Sequence, residues 1–136
     1  MSKKLQDFLK SDLLERYLSG ATSAIEDAKE NAKRNNIDGL KFYAADVGKF
    51  LNEHPEYENK IRTIILDPAR AGIAPKTLKK IINLKAERLV YVSCNPATQA
   101  RDTEQLMLAG YHIKKLSLVD QFPHTSHIET VVLFEK

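Results

Sequence analysis

The sequence predicts an α/β protein built on an open, mostly parallel, Rossmann-like sheet that ends in antiparallel C-terminal strands. Three observations predict it. Helical and extended patterns alternate along the chain, as in open α/β sheets. The runs 62–67 (RTIILD) and 88–94 (RLVYVSC) are continuously apolar, the pattern of strands buried on both faces of a parallel sheet. Two alternating segments, 111–120 and 128–136, close the chain around the short loop QFPHTSH and pair as an antiparallel end of the sheet.

Taken in order, the first 15 residues place Leu5, Phe8, Leu9, Leu13 and Leu14 on one stripe, which predicts an amphipathic helix. Residues 23–36 (SAIEDAKENAKRNN) combine helix formers with apolar spacing at Ile25, Ala28 and Ala32, and put acids early and bases late. A short strand is expected over 40–47, followed by a helix over 48–55 that stops before Pro55. The 62–67 strand is expected at the centre of the sheet. Leu78, Ile81 and Ile82 define a helix over 76–84. After the 88–94 strand, Asn95 is an N-cap and Pro96 a first helical residue; the helix runs to about Ala109, and Gly110 ends it.

The bulk properties bound the function without choosing it. A chain of 136 residues, 43% hydrophobic and 29% charged, is expected to be a single domain with its own core. It has no apolar run of roughly 18 residues and no apolar segment after its N-terminal lysines, so a cytoplasmic location is expected. The single cysteine, Cys94, excludes an internal disulfide and a cysteine-rich metal site. A net charge of +3 is compatible with a polyanionic partner and does not require one.

Ligands of open α/β sheets bind outside the carboxyl ends of the strands. Those ends read Asp46, then Asp67 with Arg70, then Cys94 with Asn95, and later Asp120 and Phe122. Each has an ordinary structural explanation alone: a cap, a turn, an inert thiol in a core. Together they set carboxylates, a guanidinium and a thiol on one edge. Cys94 also precedes a helix N-terminus, whose unpaired N–H groups favour a thiolate nucleophile. Glu129 opens an apolar strand, a poor place for a charge unless something polar faces it. His124 and His127 lack a nearby third ligand, so a hydrogen-bonded loop is the better reading than a metal site.

These residues carry a resemblance. The stretch from Ser93 to Asp102 (SCNPATQARD) resembles the S-C-N-P-x-T-x-x-R-D signature of the RNA (uracil-5-)methyltransferases that act on ribosomal and transfer RNA. Asp67-Pro68-Ala69-Arg70-Ala71-Gly72 is similar to that family's D-P-P-R-x-G, and the stretch from Asp120 to Glu129 to its D-x-F-P-x-T-x-H-x-E. The resemblance covers 23–136 and leaves 1–22 as a divergent N-terminal helix. It implies S-adenosylmethionine as cofactor and RNA as substrate, with Cys94 as the nucleophile toward uracil C6 and Glu129 as the base that removes the C5 proton. It further implies that Asp46 and Asp67 contact the cofactor, and that Arg70, Asn95, Phe122 and His127 contact the substrate.

Two departures stand out. Ala69 replaces the second proline of the first motif. The glycine-rich strand and turn that open the family's cofactor site are absent, as is the following strand that ends in a glutamate; its position falls near Ser19. The cofactor site is therefore expected to be incomplete in this chain, and the gap beside the 62–67 strand is expected to be covered by the 40–46 strand, the N-terminal helix, a second copy or a partner chain. The competing class is a non-catalytic RNA-binding or assembly module on the same sheet. A cysteine hydrolase using His124 or His127 is disfavoured, because no Gly-x-Cys-x-Gly elbow is present.

Overall fold

The structure, a computed structural model, describes residues 16–18, 22–120, 123–125 and 128–136. The chain divides into two compact units, Met1–His54 and Pro55–Lys136. The amphipathic helix expected over the first 15 residues lies outside the described residues.

In the first unit a short strand, β1 (Arg16–Leu18), pairs in parallel with β2 (Phe42–Ala44), with Tyr17 opposite Tyr43. This corrects the expectation of helix through residue 22 and of no strand before the first family-like helix. Three residues gain extended backbone from a parallel partner that local sequence does not reveal. Between the strands runs α1 (Thr22–Arg34), which buries Ile25 and Ala32. Asp46 caps α2 (Val47–Glu53) by accepting a hydrogen bond from Lys49 N at 2.8 Å. Phe50 stacks on His54 with ring centroids 4.0 Å apart, and Tyr43 lies 4.8 Å from Phe50.

The second unit is a four-stranded sheet in the order β3-β4-β6-β5. Here β3 (Thr63–Leu66) and β4 (Arg88–Ser93) are parallel, with α3 (Pro75–Asn83) between them in sequence. From β4 the chain enters α4 (Pro96–Leu108), then β5 (His112–Val119) and β6 (Glu129–Glu135), and β6 runs antiparallel to both β4 and β5. One sheet face is packed. Leu89 and Tyr91 of β4, Val132 and Phe134 of β6, Leu78 and Ile81 of α3 and Leu106 of α4 form its core, with Tyr111 hydrogen-bonded to Ala86 O at 2.7 Å. Each such side chain adds on the order of 1.5–3 kcal/mol through burial.

The helix boundaries agree with the sequence reading to within a residue or two. Gly110 adopts φ +90° after α4, the left-handed conformation that a side chain resists. The expectation that 62–67 is central and buried on both faces is corrected: β3 is an edge of this sheet, and Ile65 remains 44% exposed. Its apolar sequence suits two neighbours, and among the described residues only β4 pairs with it. No helix among the described residues is long and apolar enough to cross a membrane.

Candidate active site

The parallel pairing of β3 and β4 brings the segments that follow them to one edge of the sheet. Asp67 is exposed one residue after β3. Cys94, half-buried, follows β4 directly. Asn95 turns the chain into α4: its Oδ1 accepts from Ala97 N at 3.2 Å, and its Nδ2 donates to Arg70 O at 3.1 Å. The Asn95 amide is therefore used to join the two strand ends. Ser93 supports the same turn by accepting from Asn95 N at 3.0 Å.

Beside Cys94 lies a cleft of about 590 Å³. Arg70, Cys94 and Asn95 contribute to one part of it, Gln99, Ala100 and Thr103 of α4 to its side, and Leu116 and Leu118 to its apolar wall. The register of β6 on β4 pairs Thr130 with Ser93, so Glu129 sits one rung on, level with Cys94, where it pairs with Val119 of β5. Ile128 and Thr130 line the cleft; Glu129, between them, does not. Strand alternation puts its half-buried side chain on the face of Val131 and Leu133. The two residues implied as nucleophile and base are thus neighbours along the sheet rim, Cys94 lining the cleft and Glu129 standing beside it.

Asp46 belongs to the first unit, where one carboxylate oxygen is committed to the cap of α2. Phe122 and His127 lie outside the described residues. Pro123, His124 and Thr125 of the same loop are exposed.

The structure adds residues to which the sequence reading gave no role. Gln99, 4% exposed, donates to Tyr91 O at 2.9 Å, and its Oε1 lies 2.6 Å from the Thr130 hydroxyl. Thr130 also lies 3.1 Å from Ser93 O, so one buried network joins α4 to the ends of β4 and β6. Asp102, 2% exposed, accepts from Tyr91 OH at 2.7 Å and Ile73 N at 2.8 Å and pairs with Arg101. Burial, and then the hydrogen bond to Asp102, push the Tyr91 phenol well above its ordinary value of 10.0. The available signal was the spacing Gln99, Asp102, Leu106: two polar residues on the stripe that α4 buries.

The parallel strands, the antiparallel β6 between β4 and β5, and the polar strand ends define an α/β methyltransferase-like fold. Likeness to the Geobacter metallireducens precorrin-6y C5,15-methyltransferase (TM-score 0.66 at 13% identity) is a likeness of fold alone. The family model for tRNA (uracil-5-)-methyltransferase matches residues 11–136, and the chain belongs to that family. It is 44% identical over 119 residues to the 23S rRNA (uracil(1939)-C(5))-methyltransferase RlmD of Salmonella typhimurium, covering 88% of this chain and 27% of that protein. It is 44% identical over 135 residues to an uncharacterized RNA methyltransferase of Clostridium acetobutylicum, covering 99% of this chain and again 27% of the relative. The Pyrococcus abyssi tRNA (uracil-54, C5)-methyltransferase, solved with S-adenosyl-L-homocysteine, superposes with a TM-score of 0.71 at 38% identity, covering 87% of this chain and 27% of that one. The chain thus spans about a quarter of the length of these relatives.

Proposed function

We propose that this chain carries the uracil-activating half of an S-adenosylmethionine-dependent RNA (uracil-5-)methyltransferase and acts on ribosomal or transfer RNA in the cytoplasm. The observation that carries the reading is the rung that sets Glu129 level with Cys94 at the rim where β3 and β4 end. Uracil C5 is a weak nucleophile. Addition of the Cys94 thiolate to C6 moves the ring electrons onto C5 and makes it one. Once C5 has gained its methyl group, Glu129 takes the C5 proton, the C5–C6 double bond re-forms and the thiolate leaves. Glu129 acts from the rim, reaching a base presented at the strand ends. The base has to leave its stack to arrive there, and Arg70, Asn95, Phe122 and His127 hold it or its flanking phosphates.

The described residues fit the cofactor in part. The exposed carboxylates of Asp46 and Asp67 are acceptors suited to the amino and hydroxyl donors of a nucleoside. The described glycines, Gly39, Gly48, Gly72 and Gly110, are isolated, and none forms a glycine-rich turn for the methionyl end. When bound, S-adenosylmethionine supplies the methyl group as a sulfonium electrophile. We therefore expect the chain alone to be inactive or nearly so, and to gain activity from a polypeptide that brings a glycine-rich strand and turn. The edge of β3 that has no strand partner among the described residues is where such a strand pairs.

The test uses RNA containing 5-fluorouridine, in which C5 has no proton to lose and the Cys94 adduct persists. The chain is incubated with S-adenosylmethionine and this RNA, alone and with the N-terminal remainder of a relative. Adduct formation only with the complementing polypeptide, lost in Cys94→Ala, supports the reading; Glu129→Gln then traps an adduct on ordinary uridine. An adduct in Cys94→Ala refutes the nucleophile. RNA binding without any adduct in either arm favours the non-catalytic RNA-binding module.

A further inference from the structure

The family-like segment after Cys94 contains Thr98, Arg101 and Asp102, and all three turn to the loop that follows β3. Arg70 O accepts from Asn95 Nδ2 at 3.1 Å and lies 3.2 Å from the Thr98 hydroxyl. Arg101 Nη2 donates to Ala71 O and Ile73 O, both at 3.3 Å. Asp102 Oδ2 accepts from Ile73 N at 2.8 Å and from Tyr91 OH at 2.7 Å, and Oδ1 accepts from Arg101 Nε at 2.9 Å and Nη2 at 2.7 Å. Gly72 is pressed into this grip. It has φ +76°, and a Cβ there would meet Arg101 Nη2 and Asp102 Oδ2 at 2.8 Å. One face of α4 therefore holds the backbone from Arg70 to Ile73, and the adjacent face lines the cleft through Gln99, Ala100 and Thr103.

A loop held by its backbone leaves its side chains free to serve the site, and here the free side chain is Arg70, which lines the cleft with Cys94. We propose that Asp102 is a positioning residue: by holding Ile73 N–H and orienting Arg101 it fixes the 70–73 loop, so that the Arg70 guanidinium stands as an anion-accepting subsite in the cleft beside Cys94. The anion class is a phosphodiester beside the reacting base. Its identity as RNA phosphate rests on the function proposed above; the positioning does not. Tyr91 contributes from beneath, since its hydroxyl occupies the same carboxylate oxygen as Ile73 N and sets the depth at which Asp102 sits.

Cys94 is the only cysteine, so its alkylation reports the cleft without RNA or cofactor. The purified chain is treated with iodoacetate and iodoacetamide, which form the same S–C bond as iodide leaves but differ in charge. The ratio of the two rates measures anion preference and cancels changes in thiol accessibility. Arg70→Gln is expected to lower this ratio by roughly threefold, the order of effect that a single nearby charge exerts through water. Asp102→Asn is expected to lower it by a similar factor, and the double variant no further. Removing a negative charge at 102 would by direct electrostatics raise the preference for iodoacetate, so a fall is the signature of lost positioning. Gly72→Ala leaves every charge in place, is expected to lower the ratio likewise, and serves if Asp102→Asn does not fold. An unchanged ratio in Arg70→Gln overturns the subsite; a lowered ratio in Arg70→Gln with wild-type ratios in Asp102→Asn or Gly72→Ala overturns the positioning role. Failure of the 5-fluorouridine adduct leaves this ratio untouched, so the two proposals fail separately.

Discussion

Strands β4 and β5 are both rich in apolar residues, yet they stand in opposite surroundings. In β4, Leu89 and Tyr91 are fully buried; in β5, Leu116 is 57% and Leu118 64% exposed. Composition does not separate them, but neighbours do. β4 has a strand on each side and α4 hydrogen-bonded against its packed face, whereas β5 pairs, among the described residues, with β6 alone. The sequence of β5 nevertheless marks it as an edge: Lys114 and Lys115 place charge on it, and a register shift between Ile113 and Lys115 breaks its regular ladder. The other edge, β3, has neither guard in Thr63-Ile64-Ile65-Leu66. An apolar strand sequence records a capacity for neighbours, and the pairing reached in the fold decides how much of that capacity is used.

The sharpest way to break the contrast is to make one truncation in both strands. Leu89→Ala should lower the unfolding free energy by about 2–5 kcal/mol, because the transfer term and a cavity add. Leu118→Ala should change it by no more than about 0.5 kcal/mol. Urea midpoints read both; equal costs would mean that β5 is as well packed as β4. Next in size is Asp102→Ala, which leaves Tyr91 OH and Ile73 N–H without their acceptor beneath β4 and should cost about 2–4 kcal/mol. Native-state hydrogen exchange at Ile73 checks it, since the amide should lose its protection.

A third difference depends on pH. Burial raises the phenol pKa of Tyr91 and of Tyr111 in the folded chain above the unfolded value of 10.0. The stability tied to each is fully present below pH 10.0 and is lost as pH rises toward the folded value, because the unfolded chain then releases a proton that the folded chain keeps. Each tyrosine should steepen the loss by about 1.4 kcal/mol per pH unit. Tyr91→Phe should make the alkaline limb of a stability–pH curve shallower by that amount. The smallest effect on folding is expected at the edges. Replacing Lys114 and Lys115 by threonine should move the melting temperature little, yet produce concentration-dependent association in sedimentation runs. Ile65→Lys on β3 should suppress any association the wild-type chain shows.

Much of the candidate site was legible because it lies in short local motifs. Asn95 and Pro96 signal a helix start by their chemistry, and Cys94 before them follows from the strand that ends there. That Asp67 and Cys94 come to the same edge of the sheet was also legible, since two successive apolar strands joined by a helix pair in parallel with their carboxyl ends together. Asp102 and Gln99 were not recognised as the polar centre of α4. A polar residue on a helix looks solvated until its face is known, and theirs is the buried one. The three-residue β1 was missed for a related reason: so short a strand exists through its partner and has almost no pattern of its own.

By itself the sequence determined the alternation of elements, the caps and stops of α4, and the order of three family-like motifs, because these depend on steric and hydrogen-bonding preferences within a few residues. Only the tertiary structure decided that β3 is an edge of its sheet, that β6 lies between β4 and β5, that Glu129 comes level with Cys94 yet does not line its cleft, and that Asp102 grips the loop bearing Arg70. Each of these depends on which distant segments become neighbours. A strand's register and a buried carboxylate's donors are settled only when the core closes around them.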